Sequence, residues 1–180
     1  GDVYKRQILD AGSGTKAVIA SALVRLGFKN VHACDLQPEL MGLSNKDKRA
    51  IDYKVADLRK LPYDDCYFDF IASMSVIEHV GDIEPVVSEL ARIIKPNGCV
   101  QISTDYWETK IDCKGIFPYG QTQPEMKIFS KDEILQLIEI FEQHGLQLTG
   151  NLSLACNEKV CKWERVNREY TFCRLLFVKK

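Results

Sequence analysis

The sequence predicts an α/β fold, a doubly wound and mostly parallel sheet with helices on both faces. Three observations carry this expectation. Short apolar runs alternate with amphipathic stretches, glycines or capping residues mark most junctions, and acidic residues close several of the apolar runs. Strands that alternate with helices pair in parallel, because each helix is the crossover that returns the chain to the same end of the sheet.

Ile8-Leu9-Asp10 runs as a strand into Ala11-Gly12-Ser13-Gly14, a glycine turn. Ala17 to Leu26 then carries apolar side chains at helical spacing and stops at Gly27, a natural residue just past a helix end. Val31 to Asp35 reads as a second strand, Pro38 opens a helix through Leu43, Tyr53 to Asp57 is a third strand and Phe68 to Met74 a fourth. Asp82 is placed to cap a helix whose Ile83, Val86, Val87, Leu90 and Ile94 share one face. Lys95-Pro96-Asn97-Gly98 breaks that helix, and Cys99 to Thr104 gives the fifth strand. Ser130-Lys131-Asp132-Glu133 spells a capping box, with Phe129 and Ile134 as its hydrophobic staple. Ile134, Leu137, Ile138 and Phe141 form the inner face of the helix that follows, and Gly145 ends it. Leu146 to Leu152 and Thr171 to Val178 supply the last two strands.

The 180 residues suffice for one domain, which at this size buries roughly 70% of the surface of its unfolded chain. Lys and Arg number 24 against 25 Asp and Glu, which argues against a broad basic face for nucleic acid and leaves only a local basic patch open, so no nucleic-acid partner is expected. The 7 cysteines are scattered without a CxxC pair, which argues against a zinc ribbon or a thioredoxin-type site and for a reducing, cytoplasmic compartment. No apolar run approaches the ~20 residues of a membrane span and no signal peptide opens the chain, so no membrane partner is expected. Gly1 to Gln7 resembles a translated adapter remnant. The expectation is a non-native leader at 1–7 and one domain at 8–180 that lacks native N-terminal residues; the alternative is that Val3 and Tyr4 simply start the first strand.

Asp10, Asp35 and Asp57 each end a predicted strand, which gathers three carboxylates at the edge where open sheets of this type bind ligands. Each alone is also an ordinary turn former. Gly12-Ser13-Gly14-Thr15-Lys16-Ala17 fits the permissive G-x-G-x-x-G/A pattern. A dinucleotide would set an anionic pyrophosphate at the helix N-terminus, and Asp10 would oppose it. S-adenosylmethionine carries a sulfonium and an ammonium, which an acidic edge attracts, while its carboxylate suits the helix N–H groups.

Ile8-Leu9-Asp10-Ala11-Gly12-Ser13-Gly14 resembles the first motif of class I S-adenosylmethionine-dependent methyltransferases. Asp35 matches the residue that holds the ribose hydroxyls in that family, and Asp57-Leu58 the position that meets the adenine. Leu61-Pro62-Tyr63 with Phe68-Asp69-Phe70-Ile71, then Val76-Ile77-Glu78-His79-Val80, then Leu90 to Gly98, resemble its later signatures in order. The resemblance implies a Rossmann-like, seven-stranded sheet with an antiparallel last strand. It also implies methyl transfer to a small-molecule acceptor, with the cofactor held by Asp10, Ala11, Gly12, Ser13, Gly14, Asp35, Leu36, Asp57, Leu58, Met74 and Ser75. Lys16 replaces the usual third glycine, either to meet the cofactor carboxylate or as a solvated lysine.

Some related methyltransferases bind a divalent metal through Glu-x-x-Glu-His. Here Ser75 stands at the first position, so no metal is expected. His79 reads either as a general base, its ordinary pKa of ~6.5 suiting proton uptake near neutrality, or as a structural imidazole. The aromatic connection after the fifth strand, with Tyr106, Trp107 and Tyr119, reads as acceptor pocket or as a small core on the sheet. The stretch from Cys156 to Tyr170, with Lys159, Lys162, Arg165 and Arg168, reads either as a face for an anionic acceptor or as solvated. The rival classes are a non-catalytic cofactor-binding domain of the same fold and a nicotinamide-dependent oxidoreductase.

Overall fold

The structure, a computed structural model, describes residues 2–118 and 120–180. Alternation along β1 (Gln7–Ala11) sends Leu9 and Ala11 into the larger of two main apolar clusters and Asp10 to the opposite face, under α1 (Val18–Arg25). The remaining strands are β2 (Asn30–Asp35), β3 (Ile51–Val55), β4 (Phe68–Met74), β5 (Ile94–Tyr106), β6 (Leu146–Leu148), β7 (Cys161–Trp163) and β8 (Arg168–Lys179). Between them lie α2 (Asn45–Ala50), α3 (Glu84–Ile93) and α4 (Lys131–Gln143).

The sheet runs β3-β2-β1-β4-β5-β8-β6. It is parallel from β3 to β5, and β8 lies antiparallel to both β5 and β6. The expected doubly wound, mostly parallel sheet with an antiparallel last strand is the one found. One strand was not foreseen: β7 pairs with β8 off the main path and makes a short hairpin.

Both faces are covered. On one, Leu9, Ile71, Val100 and Ile102 pack with Val86, Val87 and Leu90 of α3 and with Ile134, Leu137 and Phe141 of α4. Phe141 stacks on Phe177 of β8 with ring centres 4.2 Å apart. On the other, Val31, Ala33 and Ile51 meet Ala17 and Ala20 at the start of α1. Each fully buried large side chain of this kind stabilises the fold by about 1.5–3 kcal/mol.

Several boundaries depart from the sequence reading, among them β6, which ends at Leu148 rather than Leu152, and β8, which starts at Arg168 rather than Thr171. The helix expected from Pro38 to Leu43 does not form; Gly42 turns at positive φ, and α2 starts after Ser44, whose hydroxyl accepts from the Asp47 N–H at 3.1 Å. β3 lies two residues earlier than expected, because Ile51 is the residue that buries opposite Val31, so Asp57 falls beyond the strand. Ile83 rather than Asp82 caps α3, although the Asp82 carboxylate still accepts from the Glu84 N–H at 3.3 Å. Pro96 and Asn97 are absorbed as an irregularity of β5, where the register against β4 jumps from Phe68↔Ile94 to Phe70↔Cys99. The capping box at Ser130 and Glu133 forms as expected. Residues ahead of Ile8 pack on the body: Gln7 is in β1, Tyr4 lies 5.3 Å from Phe28, and Asn30 donates to the Lys5 carbonyl at 2.7 Å.

The start of α1 has an unusual cap. Ala17 stands at the N-cap in a left-handed conformation and offers no side-chain acceptor. Asp10 supplies one across space: its Oδ2 accepts from the Ala20 N–H at 3.0 Å. Burial, offset by that N–H, pushes the Asp10 carboxyl up to about 6. Asp10→Ala is therefore expected to lower the unfolding free energy by about 1–2 kcal/mol. Asp10→Asn keeps an acceptor and removes a charge that is costly above pH ~6, so it should match or exceed wild-type stability at pH 7. Denaturant titration of the two variants checks the pair; an equal loss in both would remove the capping role.

Candidate active site

The turn after β1 is pinned to the end of β2. The Gly12 and Ser13 N–H groups both donate to the Cys34 carbonyl, at 2.9 and 3.0 Å. Next along, the Asp35 carboxylate accepts from the Gly14 N–H at 2.8 Å through one oxygen and from the Gln37 N–H at 3.0 Å through the other. Gly12 has φ +77°, and a Cβ there would lie 2.6 Å from both methyl carbons of Val76. Glycine is thus needed both for the backbone conformation and for the approach of the chain after β4.

The carboxyl edge brings most of the expected cofactor residues together and gives them unequal parts. Ala11 is buried in the core beneath the turn, and Asp10 faces α1 rather than the open edge. Asp35, Ser13 and Gly14 stand at the edge, half-buried, and Leu36 beside them is 62% exposed. Asp57 forks onto Arg59, which holds its carboxyl below the usual range, and Leu58 packs inward. Met74 ends β4, and Ser75 follows in a left-handed conformation, its N–H donating to the Ser103 carbonyl at 3.0 Å. A carboxylate for ribose hydroxyls and an exposed apolar side chain for a flat base are what an adenosine group needs, so these residues fit such a cofactor.

Beside this edge opens a cleft of about 350 Å³, bordered by Ser75, Glu78, His79, Asp105, Trp163, Tyr170 and Phe172 among others. Glu78 is 1% exposed. Its Oε2 accepts from the Thr104 hydroxyl at 3.0 Å, and its Oε1 has no hydrogen-bond partner. Burial, and then the nearby Asp105 charge, push the Glu78 carboxyl up to about 8. Burial likewise pushes Asp105 up to about 6, against hydrogen bonds from Tyr170 and Glu78. Burial pulls the His79 imidazole below its ordinary value, so it is neutral at pH 7. Among the described residues no group of three or more His, Cys, Asp or Glu is arranged to hold a metal ion.

The Glu78 shift has a measurable consequence. Its folded value lies above the ordinary 4.5, so across that window the folded state holds a proton the unfolded chain has released. The contribution to stability is complete below pH 4.5 and is lost as pH rises through about 8, at roughly 1.4 kcal/mol per pH unit. Glu78→Gln is expected to flatten this loss, so its melting temperature should fall less between pH ~6 and ~9 than that of the wild type. Parallel curves for the two proteins would contradict the assignment.

Of the aromatic residues expected at an acceptor pocket, Tyr106 and Trp107 do not line this cleft. Tyr106 lies in the core and donates its hydroxyl to the Leu154 carbonyl at 2.6 Å. Trp107 packs in a small cluster with Cys113, Met126 and Ile128, with Lys159 Nζ 4.8 Å from its ring centre. Tyr119 lies outside the described residues. In the basic stretch Arg168 donates to the Asp112 carbonyl at 2.7 Å, and Lys162, at the cleft, pairs with Glu169 at 3.9 Å. Asp105, Tyr170 and Phe172 were missed. An acid near the end of an apolar strand was the available signal for Asp105, the same one that marked Asp35.

Among solved structures, an S-adenosylmethionine-dependent methyltransferase from Mesorhizobium loti superposes with a TM-score of 0.70 at 17% identity, covering 99% of this chain and 93% of its own. The fold is that of S-adenosylmethionine-dependent methyltransferases. A family model described as a methyltransferase domain matches residues 9–102, and the chain belongs to that family. The malonyl-[acyl-carrier protein] O-methyltransferase of Halorhodospira halophila is 32% identical over 118 residues, 63% of this chain and 39% of the relative. The ubiquinone biosynthesis O-methyltransferase of Rickettsia prowazekii is 37% identical over 107 residues, 57% of this chain and 41% of the relative. The chain thus spans less than half the length of either.

Proposed function

We propose that this chain is the cofactor-binding and catalytic domain of an S-adenosylmethionine-dependent methyltransferase acting on a small-molecule acceptor. The observation that carries the reading is the Gly12–Gly14 turn with Asp35 beside it, directly adjacent to a cleft lined by Ser75, Glu78 and His79. Family membership supports the reaction class, and the two O-methyltransferase relatives support a small-molecule acceptor.

In this reading Asp35 accepts from the ribose hydroxyls, Leu36 lies against the base, and Asp57 accepts from its exocyclic amine. The turn from Gly12 to Gly14 and the chain at Met74 and Ser75 position the amino-acid end. The cofactor, when bound, supplies a methyl group already activated by the sulfonium. The protein's part is then alignment and exclusion of water, effects that can supply ~7–11 kcal/mol. In this reading His79, at the cleft, takes a proton from the acceptor. Seven cysteines, all free, support a reducing cytoplasm, and no helix among the described residues is long and apolar enough to cross a membrane.

Asp35→Ala tests the ribose assignment. Loss of charge-assisted bonds worth ~1.5–3 kcal/mol each should weaken S-adenosylhomocysteine by at least about tenfold in calorimetric titration. The protein should remain folded, since Asp35 is only half-buried at the edge. Unchanged affinity would move the ribose elsewhere.

A further inference from the structure

The floor of the cleft carries two acids and its walls carry aromatic rings. Glu78 and Asp105 are 1% and 4% exposed, and no ion pair joins either of them to a cation among the described residues. Glu78 borders the cleft, and its buried Oε1 has no hydrogen-bond partner. A buried carboxyl oxygen without a donor costs free energy that a ligand donor would recover. Trp163, Tyr170 and Phe172 line the same cleft, with Phe172 49% exposed. Lys162 is the lysine at this cleft, and it leans toward Glu169.

Acidic floor and aromatic walls together match one ligand chemistry. A neutral hydroxyl satisfies the orphan oxygen but leaves the pair's negative charge uncompensated. A carboxylate or phosphate is repelled. An organic cation satisfies the oxygen through N–H donation, balances the charge and lies against ring faces, which attract cations. We infer that the cleft selects an acceptor bearing an ammonium group, seated between the Glu78–Asp105 pair and the Trp163–Tyr170–Phe172 wall. The inference rests on the methyl-transfer reading only in taking this cleft for the acceptor site.

The test uses benzylamine, benzyl alcohol and benzoate as matched probes, titrated by ligand-observed NMR with and without S-adenosylhomocysteine. Benzylamine is expected to bind at least about tenfold more tightly than benzyl alcohol, with benzoate weakest. Glu78→Gln and Asp105→Asn should each erase that preference by weakening benzylamine more than benzyl alcohol, and Trp163→Leu should weaken benzylamine in a protein whose acids are intact. Equal binding of amine and alcohol, no amine binding, or a preference that survives both acid substitutions would overturn the inference. Failure of S-adenosylhomocysteine to bind would overturn the methyl-transfer reading alone, because the amine preference is also read in its absence.

Discussion

Gly12→Val is expected to cripple cofactor binding, with affinity for S-adenosylhomocysteine falling by at least about thirtyfold. Two effects add. At φ +77° a β-branched residue is strained, at a cost of roughly 1–3 kcal/mol. Its Cβ would also meet the Val76 methyl carbons at 2.6 Å, and the clash forces the turn away from the end of β4, costing about 1–3 kcal/mol more. The turn then no longer presents Ser13 and Gly14 beside Asp35. The melting temperature should fall as well, and Gly12→Ala combined with Val76→Ala should recover part of that fall by removing the collision while keeping the strain. Calorimetry and thermal unfolding on the same samples separate the two effects. Normal affinity in Gly12→Val would remove Gly12 from the site.

His79→Ala should lower turnover by about 10²–10⁴-fold while leaving S-adenosylhomocysteine affinity unchanged, the behaviour of a general base. Burial holds the imidazole below its ordinary 6.5, so the neutral, proton-accepting form dominates at pH 7 and the wild-type rate should fall only below that value. A structural histidine would give the opposite pattern: a lower melting temperature and little change in rate. Turnover should be indifferent to chelator, since Ser75 stands where the related metal-binding pattern has a carboxylate. Chelator sensitivity would overturn the metal-free reading, and undiminished turnover would end the general-base assignment.

What the sequence disclosed depended on how local the determining contacts are. The capping box at Ser130 and Glu133 lies within four residues and was legible. So was β1 with its glycine turn, and Asp35 at the end of β2. The cap of α1 was not, because Asp10 reaches Ala20 across space and nothing in the helix's own residues announces it. The misplacement of β3 by two residues came from reading Asp57 as a strand end, when the burial of Ile51 against Val31 sets the register. The cleft beside the carboxyl edge was the least legible part. It depends on the β7–β8 hairpin, whose three paired residues per strand carry too little pattern to be seen, and which brings Trp163 and Tyr170 to the cleft that Glu78 also lines. Tyr106 was chosen for its aromaticity, a property it uses to fill the core.

The most direct measurement is calorimetric titration of the unmodified chain with S-adenosylhomocysteine and, separately, with NAD. The account predicts saturable binding of S-adenosylhomocysteine at one site per chain, crippled in Gly12→Val and weakened in Asp35→Ala, and no binding of NAD. Saturable binding of NAD, with no heat from S-adenosylhomocysteine, would contradict it.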